Sequence, residues 1–284
     1  MVTREDHHFY IDNASLQEVA SALRVLSTDP GLSPAEIREI AIRDFYPTYQ
    51  KDATYSPKRL LDLGLAACDH TAKLDYVLTP TGLRLQSILQ SDQELAYELF
   101  HYLHYTGFAG HPEARKLLWS YRRCCQLFWS SGHDLDTKLL AATILSEAAE
   151  RFPECLAGAG RQGGFNATAV QCVRSWLDCL RPSPLPPSAP GKTKGSIIKR
   201  NLANPSLAGL ALDDLYRDRK IRYGDRVTLD DSVIDALSGV FFSTSESMYA
   251  GLVETAKRLP SLTLAETLSG VAIGLQQPFS LFDV

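Results

Sequence analysis

Cationic and hydrogen-bonding side chains gather at three places in this chain, and each gathering suits contact with a nucleic acid. The first is Lys51, Tyr55, Ser56, Lys58 and Arg59, crowded around the start of a predicted helix, with Lys73 shortly after it. Lys and Arg neutralise phosphates, and Arg also reads a guanine edge through two parallel hydrogen bonds. The second is Asn166, Thr168, Gln171 and Arg174, the polar side of a predicted amphipathic helix whose residue types suit base edges and phosphates. The third is Lys199, Arg200, Arg219, Lys220, Arg222 and Arg226. These belong to a span in which nine cationic residues, from Lys192 to Arg226, face four aspartates.

Other chemistry is harder to assemble. Neither a G-x-S-x-G elbow, an H-E-x-x-H pair nor a kinase loop set is present, and the double glycine Gly163-Gly164 is too sparse for a phosphate-binding loop. The adjacent carboxylates Asp213-Asp214 and Asp230-Asp231 read as helix caps. Cys68 and His70 are a local pair, but they fall in a predicted turn that would not protect a nucleophile. His101 and His104 share a helix face three residues apart, with His111 nearby. They lack a neighbouring carboxylate and sit among Tyr97, Tyr102 and Tyr105, so they are expected at a surface or interface. The six cysteines are scattered without a C-x-x-C pair and read as buried free thiols. No catalytic residue, metal or cofactor is assigned.

These groups need elements to position them. Leu16, Val19, Ala20, Leu23 and Leu26 recur at helical spacing. Asp29-Pro30-Gly31 breaks that helix, and Ser33 with Glu36 opens a second through a capping box. Ser56-Pro57 opens a third, with Ser56 as its cap, and Gly64 turns the chain out of it. Leu74, Tyr76 and Leu78 alternate as a half-buried strand of a two-stranded wing, and Thr79-Pro80-Thr81 starts a further helix. Residues 93–154 are continuously helical, with caps at Asp134 or Asp136. Asn166 caps the next helix, whose apolar face is Ala169, Val173, Trp176, Leu177 and Leu180. Five prolines in residues 182–190 forbid a helix and mark a linker or exposed loop. Beyond it, residues 220–223 and 226–229 are expected to flank Gly224-Asp225 as a basic hairpin, a second wing. Asp230 or Asp231 then caps a helix, helical spacing returns over residues 246–275, and the apolar tail is expected to tuck into the core or dock on a partner.

The predicted class is mainly α: a winged helix-turn-helix domain, a helical middle section, and a second helix-turn-helix-like part with a small β-hairpin. The boundaries read as a winged-helix domain at 1–92, a helical domain at 93–182, a linker or loop at 183–196, and a C-terminal part at 197–284. A hydrophobic share of 45% and a charged share of 22% are ordinary for a globular chain, and no apolar run approaches the roughly 20 residues of a membrane span. The amino terminus has no apolar signal core, which points to the cytoplasm. A net charge of −4 argues against nonspecific grip on DNA unless the positive charge is gathered on one face.

The stretches LGLAACDHTAKLDYVLTPTGLRL and FNATAVQCVRSWLDCL resemble the winged helix-turn-helix proteins of prokaryotes. They loosely resemble an uncharacterised family encoded beside phage-defence and DNA-modification systems. That resemblance implies a double-stranded-DNA-binding protein, either a transcriptional regulator or the DNA-binding accessory subunit of a defence or modification complex, acting as a homodimer or in a larger assembly. Two alternatives stand beside it: a protein–protein adaptor whose winged helices are docking surfaces, and an enzyme with a site built from distant residues.

Overall fold

In the computed structural model, residues 14–46, 55–69, 75–110, 116–131, 136–153, 165–186, 197–268 and 270–284 are described. They are mainly helical, with two small antiparallel sheets, and none of their helices is long and apolar enough to cross a membrane. Two compact units emerge. One comprises residues 1–127 and 135–180; the other comprises 128–134 and 181–284. The division at residue 181 falls beside the proline-rich stretch. None falls at 92, because the helices on either side of it pack together within the first unit.

The first unit begins with α1 (Leu16–Thr28) and α2 (Pro34–Asp44), each opened by a complete capping box: Ser15 with Glu18 and Ser33 with Glu36. α1 buries Leu16, Val19, Leu23 and Leu26 against α2, α3 and α4. Burying each such side chain stabilises by about 2 kcal/mol. α3 (Tyr55–Asp62) starts two residues earlier than expected, so Ser56 lies inside it and is fully buried instead of capping it. Gly64 turns the chain out at φ +70°, a left-handed position that favours glycine.

Next come β1 (Ala66–Asp69) and β2 (Asp75–Leu78), paired antiparallel with Ala66 opposite Leu78. Leu32 bridges Tyr76 from the other side of β2: its carbonyl accepts from the Tyr76 amide at 3.0 Å, while the amide of Gly31 donates to the Tyr76 carbonyl at 3.0 Å. α4 (Pro80–Ser91) is capped by Thr79, and a side chain at Gly82 would collide with the carbonyl of Leu65. α5 (Gln93–Gly110), α6 (Lys116–Ser131) and α7 (Thr137–Arg151) follow, the last capped by Asp136. α8 (Ala167–Leu177), capped by Asn166, packs on α7. Its Trp176 indole donates to the carbonyl of Ala14 at 2.8 Å, tying the unit's end to its beginning.

In the second unit, the chain around the proline-rich stretch returns on itself. Leu185 is buried, and the amide of Ile198 donates to the carbonyl of Pro184 at 2.8 Å. The expected linker or exposed loop at 183–196 is described only as far as residue 186; residues 187–196 lie outside the described residues. Then follow α9 (Ser206–Asp218), β3 (Arg226–Thr228), α10 (Asp231–Phe241), α11 (Ser245–Arg258), β4 (Leu262–Thr267) and β5 (Gly270–Leu275). The sheet order is β3-β5-β4, all antiparallel.

This corrects two expectations. Residues 220–223 form no strand; β3 pairs instead with β5, Arg226 opposite Gly274. Residues 262–275 are a hairpin rather than helix. Leu262, Ala272, Ile273 and Leu275 are buried, and because Ala272 and Ile273 are successive residues on opposite faces, the central strand β5 is covered on both sides at that point. The tail folds back: Phe279 and Leu281 are buried, and the Phe279 ring lies on α9 where Gly209 leaves room for it.

Candidate nucleic-acid interface

The segment joining α9 to β3 carries Arg217, Arg219, Lys220, Arg222 and Arg226 against Asp218 and Asp225, all of them exposed. A web of backbone hydrogen bonds and neighbouring side-chain contacts fixes its shape. α9 ends in a Schellman motif: the amide of Ile221 donates to the carbonyl of Tyr216 at 2.8 Å, and that of Lys220 to Arg217 at 3.3 Å. Lys220 takes the left-handed position, φ 54°, where glycine is usual. The rings of Tyr216 and Tyr223 stack at 5.7 Å, and Gly224 (φ +97°) donates to the carbonyl of Leu275 at 2.8 Å.

Asp213, buried on α9, anchors three segments at once. It accepts from the Tyr223 hydroxyl at 2.9 Å and the Phe279 amide at 3.0 Å, and it pairs with Arg217 at 2.8 Å. Burial, together with the hydrogen bond to Asp213, pushes the Tyr223 phenol up to about 12, so it stays a donor at all ordinary pH. Arg222 meets Asp225 at 3.1 Å with its side chain 85% exposed. Such a pair is worth about 0–1 kcal/mol and yields readily to a stronger anion. Arg219 lies close enough to Asp230 to help lower its carboxyl, after the larger effects of the hydrogen bonds from Ser232 and the Val233 amide.

The remaining predicted residues divide sharply by burial. Lys58, Asn166, Thr168, Gln171 and Lys199 are exposed. Asn166 is occupied as a cap, accepting from Ala169 at 3.0 Å, and the Lys199 ammonium lies 4.4 Å from the Trp129 ring centre. Four residues are corrected. Ser56 is fully buried, and Arg59, 1% exposed, pairs with Asp62 at 3.1 Å. Arg174 is turned into the core, where its charge acts on the Cys124 thiol. Arg200 is 3% exposed; its guanidinium donates to the carbonyls of Phe241 at 3.0 Å and Arg181 at 3.4 Å. A guanidinium sealed in this way cannot reach a phosphate. Lys51, Lys73 and the side chain of Tyr55 lie outside the described residues.

Arg200 has a structural task instead. Its guanidinium satisfies a carbonyl at the end of α10, its backbone bridges Ser243, and its own carbonyl accepts from Thr244. It thereby clamps the turn between α10 and α11, where Phe242 is buried at φ 54°. This helix–turn–helix was not among the expectations. Asp230 and Thr244, which cap α10 and α11, are its local signals. α11 exposes Glu246, Tyr249, Ala250, Lys257 and Arg258, the last two paired with Glu254. The β4–β5 tip exposes Leu268 and no cation among its described residues. The basic loop thus sits at the opposite end of the sheet from that tip, since Arg226 is level with Gly274.

The paired histidines of α5 are also corrected. His101 and His104 are fully buried. His101 Nδ1 shares a 2.8 Å hydrogen bond with the Tyr121 hydroxyl, and His104 stacks on the Tyr121 ring at 3.7 Å with neither ring nitrogen hydrogen-bonded. Burial, then the charge of Arg59, holds the His104 imidazole well below its usual range, so it is neutral. Among the described residues no group of three or more His, Cys, Asp or Glu is placed to hold a metal ion.

No family model matches the chain, and no curated protein matches it. Among solved structures, the fold is similar to a magnesium-ion-bound SspB crystal structure, with a TM-score of 0.59 over 95% of this chain and 82% of that one. At 14% identity the likeness concerns the fold, which both chains share across nearly the whole length of this one.

Proposed function

We propose that this protein binds double-stranded DNA through the cationic α9–β3 loop of its second unit, and that each unit contains a winged helix. The observation carrying the reading is the division of labour in that loop. Tyr216, Tyr223, Asp213 and Gly224 hold its shape, while Arg219, Lys220, Arg222 and Arg226 are left exposed. Cations on a preorganised scaffold meet phosphates without a large ordering cost. The winged-helix assignment rests on order and pairing. Each unit runs helix, extended residue or strand, two helices and a hairpin, and the first extended element pairs with the last strand: Leu32 with Tyr76, β3 with β5. In this reading the protein is a cytoplasmic regulator or a DNA-binding subunit of a prokaryotic defence or modification complex. Titration of a duplex at rising salt tests it. With about four phosphates neutralised, log K falls against log salt with a slope of about −3.6.

A protein–protein adaptor is the second reading, favoured by one observation. α11 presents Tyr249 (39% exposed) and, through Val253, lines an apolar recess with Leu202, and the hairpin tip carries a fully exposed Leu268. Under that reading Tyr249→Glu abolishes complex formation, and reversing the loop charges has no effect.

A further inference from the structure

A second feature of the first unit is unrelated to the basic loop. The ends of α1, α2 and α4 and the start of α5 enclose an open groove of about 520 Å³, within the range of small-molecule sites. Its walls include Arg24, Phe45, Gln86, Gln90 and Gln93. Gln86 is 5% exposed, and its Oε1 has no hydrogen-bond partner. A buried carbonyl oxygen left in this state asks for a donor. Arg24 is half-buried at the same groove, and its guanidinium has no carboxylate partner among the described residues. Phe45 closes α2 and is 39% exposed, an aromatic ring available to stack. The Gln93 amide nitrogen donates to the Tyr97 hydroxyl at 2.7 Å, which leaves its oxygen as a further acceptor.

These groups specify a ligand with three properties: a planar ring, N–H donors on its edge, and an anionic oxygen. Gln86 and Gln93 accept, Phe45 stacks, and Arg24 takes the anion. Three helices end at the groove, so their C-terminal carbonyls favour the ligand's N–H donors and oppose its anion, which the Arg24 guanidinium must offset. A base with an exocyclic amine, joined through its sugar to a phosphate, has all three. We propose that this groove binds a single amino-bearing nucleotide, with the base on Phe45 and Gln86 and the phosphate on Arg24. The nucleotide comes either free from solution or as one unit of a strand.

The test uses the full chain and calorimetry with deoxyadenosine, deoxycytidine and deoxyguanosine 5′-monophosphates, with deoxyribose 5-phosphate as the baseless control. A parallel arm uses a short single strand of mixed sequence. At least one nucleotide or the strand is expected to bind, with binding to the sugar phosphate at least tenfold weaker. Gln86→Leu, which removes the unpaired oxygen and keeps the bulk, is expected to weaken binding about tenfold without lowering Tm. Arg24→Gln is expected to weaken the nucleotide but not the matching nucleoside. Binding by the free nucleotides assigns the first source, and binding by the strand alone assigns the second. The proposal is overturned if neither ligand binds, if the sugar phosphate binds equally well, or if Gln86→Leu folds with unchanged affinity. None of these outcomes depends on duplex binding by the second unit, because the residues lining the groove all belong to the first unit.

Discussion

The helix–hairpin modules of the two units are built in the same order yet spend their middle helices differently. In the first, α3 is turned inward: Ser56, Pro57, Arg59 and Leu60 are buried, and Lys58 is its one exposed cation among the described side chains. In the second, α11 keeps Tyr249, Ala250, Lys257 and Arg258 at the surface, and the neighbouring loop carries most of the exposed positive charge. The third strand shows the same contrast. It is a single bridging residue, Leu32, in the first module and three residues, Arg226–Thr228, in the second. A shared arrangement of elements therefore does not decide which module meets a partner; the burial of particular side chains does.

The largest expected break in this contrast is at Arg59. Arg59 is buried and its partner Asp62 half-buried, so Arg59→Ala removes a charge-assisted contact and empties a large core position, and should cost about 3 kcal/mol. Lys58→Ala, one residue away, should stay within about 0.5 kcal/mol. Urea unfolding of both variants reads the difference. A small effect at Arg59 would mean that α3 is not a core element.

Next in size is an acid sensitivity confined to the first unit. The folded state holds His104 neutral, well below its ordinary pKa, whereas the unfolded chain takes up a proton near 6.5. The depressed value makes this contribution complete above the unfolded pKa and lost as pH falls below it, at up to about 1.4 kcal/mol per pH unit. His104→Phe keeps an aromatic ring against Tyr121 and removes the proton. The variant should therefore lose less stability than the parent between about pH 6.5 and 5. Parallel stability curves for the two proteins would contradict the account.

A smaller effect separates structure from contact at the basic loop. Lys220 occupies a left-handed position that costs a non-glycine residue about 1 kcal/mol. Lys220→Gly should hold or raise Tm while weakening a duplex several-fold by removing one cation. Both effects are measured on one purified variant. Weaker binding accompanied by lower Tm would point to a merely structural role.

Much of the first module was legible in the sequence because its signals are local. The boxes at Ser33 and Glu36, the turn at Gly64, the alternation through Tyr76 and Leu78, and the cap at Thr79 lie within a few residues of what they determine. The second module was not legible in the same way. Gly224-Asp225 looks like a hairpin turn, but the Gly224 amide bonds to Leu275, far along the chain, and β3 pairs with β5 across two intervening helices. Leu264 and Leu268 lie four residues apart, a spacing that fits a helix and an extended strand alike until that pairing is known.

The candidate site was partly legible for a related reason. Residue type marks Arg59, Arg174 and Arg200 as cations but says nothing of burial. Their burial depends on tertiary partners such as Asp62 and the carbonyls of Phe241 and Arg181. Arg219, Lys220, Arg222 and Arg226 come out exposed because Asp213 and the stacked tyrosines do the anchoring.

The most direct test of the central claim compares the parent protein with the double variant Arg222→Glu and Arg226→Glu by anisotropy on one duplex, from about 50 to 200 mM salt. The account predicts that the parent loses roughly 10²-fold in affinity across that range, and that the variant, folded with unchanged Tm, binds at least tenfold more weakly with a shallower slope. Equal affinity and equal slope for the two proteins, or no binding by the parent at the lowest salt, would contradict it.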